Sequence, residues 1–293
     1  MKPLVIYHKK CPDGFGAAYA AWRKYGDAAD YVPAAHGAYP TLDELKVDGR
    51  EVYIVDFSFP RATLEAMAAR AKRVVILDHH KTAEADLANF PGAIFDMNRS
   101  GARLAWEFFH PGTPVPQLLV HIEDRDLYDW KLADTEPLMM YLDTLPFDFE
   151  AWHAFVTSPG THQWQEALDA GRYMVKKFRS IVETVADTAE PVCFCGHQCH
   201  KVNLGTAHEL ASDVGNLVAE RNGSLALLWY ITKGKLRVSL RSKKGSVDVS
   251  ELARKYGGGG HAGAAAFVLT LGTPQATQFF TYYIANSGQV EPK

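Results

Sequence analysis

Residues 73–80 read Arg-Val-Val-Ile-Leu-Asp-His-His. The four apolar residues 74–77 form a run of strand length with no polar position on either face. Such a run is typical of a central strand in a parallel sheet that is covered on both sides. Asp78, His79 and His80 follow it directly, and the carboxyl ends of parallel strands are where such sheets bind ligands.

Two earlier apolar runs end in the same way. Residues 4–7 lead into His8, and residues 52–55 lead into Asp56. The stretch between these runs carries aromatic residues at helical spacing, Phe15, Tyr19 and Trp22. Short apolar runs that alternate with helical stretches predict βαβ units and a parallel sheet.

The polar residues that follow the three runs are expected to meet at one edge of this sheet. Asp13, at the start of the first helix, and the acidic stretch 123–126, at the end of a later one, would join them. Carboxylates packed together raise one another's pKa unless cations neutralise them, so the cluster predicts a bound divalent metal. Mixed Asp and His ligands suit Mn²⁺, Fe²⁺, Co²⁺ or Zn²⁺. A carboxylate bridging two ions about 3.5 to 4 Å apart would favour phosphoester hydrolysis.

Length and composition predict two folded domains. The chain has 293 residues, of which 47% are hydrophobic and 22% are charged, an ordinary globular composition. The predicted organisation is α/β throughout: a parallel-sheet domain over 1–150, a helical connector over 151–189 and a smaller α/β domain over 190–293. In the last domain we expect hairpins within 193–202 and 225–240, a helix over 208–221 and a loop over 257–261.

The overall charge excludes one class of partner. A net charge of −3 argues against coating duplex DNA, because such affinity comes from many basic groups facing phosphates. No apolar run is long enough for a membrane span, so we expect a cytoplasmic protein without a membrane partner. A homodimer is compatible with the sequence.

Three of the four cysteines lie close together, Cys193, Cys195 and Cys199. A zinc site is one interpretation, but a Cys-x-Cys pair lacks the gap of common structural zinc sites. The sequence favours a hairpin that turns at Gly196.

Four glycines precede His261 near the end of the chain. Glycine allows positive φ, so successive N–H groups can form a concave site for an anion. A flexible surface turn is the alternative. Arg241 and His261 in the same domain favour the phosphate-binding interpretation.

Five motifs in order along nearly the whole chain resemble the DHH phosphoesterases that carry a DHHA1 domain. They are His8 with Asp13-Gly14, Asp56, the triplet 78–80, the acidic stretch at 123–126 and the Gly-Gly-Gly-His segment. The chain looks most like the branch of nano-RNases, oligoribonucleases and enzymes that process cyclic dinucleotides. The resemblance implies one or two divalent ions, Mn²⁺ first, with Mg²⁺, Co²⁺ or Fe²⁺ possible.

The resemblance also implies residue roles. Asp56 would bridge the metals, Asp78 would orient His79 or a water, and His80 would face the phosphate. The implied metal ligands are His8, Asp13, Asp56, His79 and Asp124. The implied substrate contacts are Arg99, Ser100, Arg241, Gly258, Gly259, Gly260 and His261, with the cleft between the domains as the binding channel.

Two positions depart from the family pattern or leave a choice. Cys11 stands near the place of a second Asp in the first motif. Three interpretations are open: Cys11 is a soft metal ligand, a water takes the place of the missing carboxylate, or the first metal binds weakly until substrate completes its site. Asp124 fits the fourth motif, whereas Asp126, two positions on, does not share its helix face.

These features predict a phosphodiesterase that hydrolyses short oligonucleotides or linear dinucleotides to mononucleotides. A phosphomonoesterase or polyphosphatase of the same chemistry is the first alternative. A nucleotide-binding sensor with a degraded metal site is the second, and the altered first motif is what favours it. The sequence does not name the base preference, the form of the substrate, the metal or the oligomeric state.

Overall fold

The computed structural model describes residues 1–35, 39–243 and 246–285. The chain divides into two compact units, Met1–Val175 and Lys176–Lys293. Each unit is built on its own sheet, which confirms the predicted α/β class with a parallel sheet in the first part.

The sheet of the first unit has five parallel strands in the order β2-β1-β3-β4-β5. The strands are β1 (Leu4–His8), β2 (Asp30–Ala34), β3 (Glu51–Val55), β4 (Arg73–Asp78) and β5 (Ala93–Phe95). The three predicted runs form β1, β3 and β4 at the centre. The two edge strands, β2 and β5, were not predicted.

The described part of this unit contains eight α-helices, and a ninth, α9, begins in this unit and ends in the second. They are α1 (Pro12–Tyr25), α2 (Leu42–Leu45), α3 (Arg61–Arg70), α4 (Lys81–Asp86), α5 (Gly101–Phe109), α6 (Gln117–Asp126), α7 (Thr135–Leu142), α8 (Phe149–Val156) and α9 (His162–Ala186). A short 3₁₀ turn covers Gly26–Ala28.

Successive residues of the central strands enter two different cores. Val55 and Leu77 pack with α1, α5, α6 and α8, where Trp152 is fully buried. Ile54 and Ile76 pack on the opposite face with α3 and its Leu64. This alternation is the period-two pattern of a strand, and it explains why the runs are apolar at every position.

Helix α9 contributes to the cores of both units. Trp164 and Leu168 lie in the core of the first unit, whereas Val182 and Ala186 lie in a core of the second. Most of the segment 151–189, which the sequence predicted as a helical connector, lies in α8 and α9.

The second unit has a six-stranded mixed sheet in the order β10-β11-β9-β8-β7-β6. Within this second sheet, β7 and β8 form the one parallel pair among the described strands, and the other pairs are antiparallel. The strands are β6 (Glu190–Phe194), β7 (His197–Asn203), β8 (Leu225–Thr232), β9 (Lys235–Ser242), β10 (Gly259–His261) and β11 (Ala264–Thr270). The helices are α10 (Ala211–Asn222), α11 (Val249–Arg254) and α12 (Pro274–Phe279), with a 3₁₀ turn at His208–Leu210 and a π-helical end at Phe280–Ala285.

Both predicted hairpins of this unit are present, and each turns through two residues of positive φ. These are Cys195 and Gly196 (50° and 80°) and Lys233 and Gly234 (48° and 70°). Two-residue turns of this kind match the twist of the flanking strands.

The glycine segment before His261 is not the loop that we predicted. Residues 259–261 form the edge strand β10, which pairs with β11. A Cβ on Gly260 would lie 2.5 Å from the carbonyl oxygen of Ala264, and its φ is 145°. The glycines therefore let the edge strand approach its neighbour closely.

Among the described residues, the helices are too short or too polar for any to cross a membrane.

Candidate metal centre

Strand β4 ends in a buried carboxylate that orders the two histidines after it. Oδ1 of Asp78 accepts hydrogen bonds from the backbone N–H of His79 (2.8 Å) and pairs with Nδ1 of His80 (2.6 Å). Oδ2 of Asp78 accepts from the hydroxyl of Ser58 at 2.6 Å. Both oxygens are thus engaged, and the imidazole that Asp78 holds is that of His80, whereas the resemblance implied that it orients His79 or a water.

Asp56 lies at the end of β3 at the centre of the cluster. It is a non-glycine residue with φ of 52°, and its side chain is 2% exposed. Oδ1 lies 3.2 Å from Nε2 of His79, and Oδ2 lies 3.5 Å from Nδ1 of His8. Burial acts to raise the pKa of Asp56, but the imidazoles of His79 and His8 outweigh it and hold this pKa at about 2. Asp56 is thus a buried carboxylate that stays ionised between two imidazoles.

One carboxylate oxygen of Asp56 is buried without a hydrogen bond. Oδ2 is inaccessible to solvent and makes no hydrogen bond of acceptable geometry. Buried carboxylate oxygens normally have partners, and a lone one marks a place for a cation or a donor. The described residues around Asp56 therefore fit a metal ion.

Asp13 holds a second element to this cluster. It is buried in the first turn of α1, and its two oxygens accept from the backbone N–H groups of Gly101 (2.6 Å) and Ala102 (2.9 Å) at the start of α5. Its Oδ2 lies 3.6 Å from Nε2 of His79. Burial, followed by the charges of nearby carboxylates, raises the pKa of Asp13 well above its usual value.

The acidic stretch at the end of α6 contributes Asp126 to the cluster. Oδ2 of Asp126 lies 3.5 Å from Nε2 of His79. The carboxylate of Asp124 instead accepts from the backbone N–H groups of Lys131 (2.7 Å) and Leu132 (3.1 Å) and from the hydroxyl of Thr135. The carboxylate of Asp124, the predicted ligand, is thus held by the segment after α6, and it is Asp126 that groups with Asp13 and His79 among the described residues.

The described side chains form overlapping groups of metal-ligand type, and in each group the ligand atoms lie within 4.8 Å of one another. The groups are His8, Cys11 and Asp56; Asp13, His79 and Asp126; and Asp56 with Asp78, His79 and His80. The third group overlaps the other two and includes Asp78, whose oxygens are already engaged. Since Asp56 also contacts His79, it joins the first two groups. These groups together form a candidate site for a divalent metal, with Asp56 joining them.

A glycine makes this geometry possible. A Cβ on Gly101 would lie 2.4 Å from Cβ of Asp56 and 2.8 Å from its Oδ1. Any side chain at position 101 would therefore push the start of α5 away from Asp56. The sequence pattern marked Gly101 only as a neighbour of two substrate contacts, so this packing role was not predicted.

The two predicted substrate contacts beside Gly101 have structural partners. Ser100 is fully buried, and its hydroxyl caps α5 by accepting from the N–H of Arg103 at 3.2 Å. Arg99 pairs with the carboxylates of Asp96 and Glu107. The structure thus assigns a capping role to Ser100 in place of the predicted substrate contact, because its hydroxyl is committed and hidden from solvent.

Sequence reasoning also missed Ser58, which bonds the buried Asp78. Its position two residues after Asp56 was a usable signal. A hydroxyl next to the end of a central strand can reach the carboxylate of the adjacent strand.

In the second unit, Arg241 and His261 lie in one row across the sheet. His261 is opposite Ala264, which in turn is opposite Arg241. Directly opposed residues share a face of the sheet, so both side chains stand on either side of a small alanine. The guanidinium of Arg241 donates to the hydroxyl of Ser212 at 2.9 Å. The predicted substrate contacts Gly258, Gly259 and Gly260 lie along the same edge of the sheet.

Comparison with known proteins gives a family match and two relatives. The DHHA1 domain matches residues 192–286. The chain is 29% identical to the uncharacterised protein R106 of Acanthamoeba polyphaga mimivirus over 91% of this chain and 67% of that protein. It is 26% identical to the oligoribonuclease NrnB of Bacillus subtilis over 75% of this chain, and that match spans only 57% of NrnB.

Two solved structures share the fold at low identity. A DHH domain described as belonging to a family of ribosomal proteins aligns with a TM-score of 0.64 and 14% identity, over 94% of this chain and 85% of that one. The pGpG-specific phosphodiesterase PggH of Vibrio cholerae aligns with a TM-score of 0.51 and 14% identity, over 96% and 98% of the two chains. The chain therefore carries a DHHA1 domain in its second unit, and it resembles the DHH/DHHA1 phosphoesterases in fold and in the cluster around Asp56.

Proposed function

We propose that this protein is a divalent-metal-dependent phosphodiesterase that hydrolyses short oligonucleotides or linear dinucleotides to mononucleotides. The observation that carries the proposal is the pair of ligand groups joined by the buried Asp56. Divalent ions held there would supply positive charge that activates a water and neutralises a phosphate. His8, Asp13, Asp56, His79 and Asp126 are the residues that would hold them.

His80 is the residue best placed to act on the phosphate directly. Its Nδ1 is held by Asp78, while 41% of its side chain remains exposed. The hydrogen bond to Asp78 raises the pKa of His80, against the effect of burial. An imidazole that is oriented and more easily protonated can donate a hydrogen bond to a phosphate oxygen or a proton to the leaving oxygen.

Exposed aromatic rings favour a substrate that carries bases. Tyr128 is 67% exposed and Trp130 is 41% exposed, and both follow the ligand Asp126 within four residues. Both residues have positive φ, and the backbone N–H of Trp130 bonds the carbonyl of Asp124 at 3.2 Å. Aromatic side chains at such sites stack on nucleobases of any sequence. A plain polyphosphate would gain nothing from them.

The second unit supports recognition of a phosphate end. Arg241 and His261 share a face of its sheet, with the small Ala264 between them. A guanidinium and an imidazole in one row can bind the phosphate of a short nucleotide. The names of NrnB and PggH, an oligoribonuclease and a pGpG phosphodiesterase, point to the same substrate class.

The test is hydrolysis of dinucleotides with Mn²⁺, with products identified by mass. We expect nucleoside monophosphates from the unmodified protein and a loss of at least about 100-fold in rate for Asp126→Asn, as for a group lost from a preorganised site. Asp129→Asn is the matched control, because Asp129 lies three residues further on and its carboxylate pairs with the exposed Lys131 instead of the histidines.

The outcomes separate the alternatives. Release of inorganic phosphate instead of mononucleotides would favour a phosphomonoesterase or polyphosphatase. Tight dinucleotide binding with no turnover above that of Asp126→Asn would contradict the enzyme proposal and favour a sensor.

A further inference from the structure

The two ligand groups that Asp56 joins differ in chemistry. One offers an imidazole, a thiol and a carboxylate, from His8, Cys11 and Asp56. The other offers two carboxylates and an imidazole, from Asp13, Asp126 and His79. Thiolates select soft or borderline ions, whereas carboxylates suit Mn²⁺ and Mg²⁺. The two positions should therefore not take the same metal equally well.

Cys11 is placed to serve as a ligand. It is the residue just before α1, with extended φ and ψ of −125° and 126°, and its side chain makes no capping hydrogen bond to that helix. It lines a cavity of about 240 Å³ together with Asp13, Arg125 and Asp126. Cys11 is only partly buried, and it borders a cavity that two carboxylates of the cluster also line.

An independent observation points to a cation in this group. Oδ2 of Asp56 is buried, lacks a hydrogen bond of acceptable geometry and lies 3.5 Å from Nδ1 of His8. A buried carboxylate oxygen without such a bond is unfavourable, and a nearby cation is one way to satisfy it. An ion shared by His8, Cys11 and Asp56 satisfies it.

We propose that Cys11 is a thiolate ligand that makes the first metal position selective for a thiophilic divalent ion, Zn²⁺, Fe²⁺ or Co²⁺, while the Asp13, His79 and Asp126 position takes Mn²⁺ or Mg²⁺. Ligation forms one bond from sulfur to the metal, and the thiol proton leaves to solvent. This inference rests on the metal centre of the proposed function and not on its substrate. A Cys in place of the second Asp of the first motif then changes which metal the position prefers and does not abolish the site.

The test is a titration of the metal-free 293-residue chain with Co²⁺, followed by absorption spectroscopy. We expect a thiolate-to-cobalt charge-transfer band in the near ultraviolet that saturates at one equivalent. Cys11→Ser and Cys11→Asp should both lose the band, and Cys11→Asp, which restores a carboxylate, should still bind Co²⁺. Cys193→Ser is the matched control and should keep the band.

Competition between Zn²⁺ and Mn²⁺ gives a second readout. We expect Cys11→Asp to lower the ratio of Zn²⁺ to Mn²⁺ affinity at one position by at least about tenfold, the low end of what changes near a metal produce. A band that persists in both Cys11 variants, Co²⁺ binding without a band or no Co²⁺ binding would overturn the inference. If the band behaves as expected but dinucleotides are not cleaved, only the proposed function fails.

Discussion

Asp124 and Asp126 lie two positions apart in the last turn of α6, and their carboxylates make different contacts. A helix turns about 100° per residue, so their side chains point about 200° apart. Asp126 reaches His79, whereas Asp124 gathers the N–H groups of the segment that follows α6. One residue thus contributes to the metal centre, and the other folds the chain beside it.

Asp124→Asn is expected to weaken the fold and leave metal stoichiometry unchanged. An amide keeps one acceptor oxygen and turns a donor toward Lys131, Leu132 or Thr135, all of which donate to Asp124 now. The expected loss in the free energy of unfolding is about 1 to 3 kcal/mol. Denaturant unfolding of the metal-free protein measures it.

Asp126→Asn is the counterpart variant. Burial raises the pKa of Asp126, so a neutral amide removes an unfavourable charge and should leave the metal-free stability nearly unchanged. Metal affinity should fall instead. The assignment is wrong if Asp124→Asn abolishes metal binding in a folded protein while Asp126→Asn does not.

The residue types of the centre could be predicted from sequence, but not all of their positions. His8, Asp56 and His79 follow apolar runs, and the parallel sheet brings them together. The choice between Asp124 and Asp126 depends on where α6 ends and on how residues 131 and 132 fold back. Neither is encoded in a local pattern, so the family motif favoured Asp124 although Asp126 is the carboxylate beside His79.

The pH dependence of metal binding is expected to follow His79. Burial lowers its pKa, but the hydrogen bond to Asp56 and the neighbouring carboxylates outweigh it and raise the pKa to about 9. A metal must displace the proton, so the apparent affinity should rise by up to about tenfold per pH unit between pH 6.5 and 9. Calorimetric titration with Mn²⁺ measures this.

The stability of the metal-free protein should change with pH in the opposite direction and fall as the pH rises. A His whose folded-state pKa is raised contributes stability that is fully present below pH 6.5 and is lost as pH rises toward 9. Metal-free protein should therefore melt at lower temperature at pH 9 than at pH 6.5. His79→Gln should flatten this trend, whereas His153→Gln, whose ring bonds the hydroxyl of Tyr19 away from these carboxylates, should not. An equal slope in both variants would contradict the assignment.

At the scale of elements, the start of α5 fixes the position of Asp56. Gly101→Ala would place a methyl group 2.4 Å from Cβ of Asp56. We expect a loss of about 1 to 3 kcal/mol in the free energy of unfolding, as for overpacked cores, together with weaker metal binding. Thermal melting with and without Mn²⁺ measures both effects.

Gly259→Ala is the matched control for this helix start. A Cβ on Gly259 meets no other atom within 4 Å, and its φ is not in the left-handed region. It should therefore melt like the unmodified protein. Equal effects of the two substitutions would show that the contact with Asp56 is not what matters.

Elements in the sheet centre were predictable, and those at its edges were not. β1, β3 and β4 are apolar at nearly every position because both faces are covered. β2 contains Pro33, and β5 has three residues, so neither shows a strand pattern. β10 consists of glycines and a histidine, and its strand geometry comes entirely from pairing with β11.

At the scale of the molecule, the separate cores predict two unfolding transitions. The cores of the first unit and those of the second share no residue among the described ones. A metal that binds only the first unit should raise the melting temperature of that unit alone. Its free energy of unfolding should rise by about 2.7 kcal/mol when the free ion is at 100 times its Kd. Differential scanning calorimetry with and without Mn²⁺ measures it.

Asp126→Asn serves as the control in this experiment, because it should remove the shift and leave both transitions in place. A single transition that moves as a whole would mean that the units unfold together, through α9 or otherwise.

Asp13 gives the protein a built-in reporter. Its oxygens hold the amide groups of Gly101 and Ala102, which are 88 and 89 positions away in the chain. A cation that draws electron density from this carboxylate weakens both bonds at once. The nitrogen-15 chemical shifts of these two amides should therefore change as the ion site fills during a metal titration, without a probe attached at the site itself.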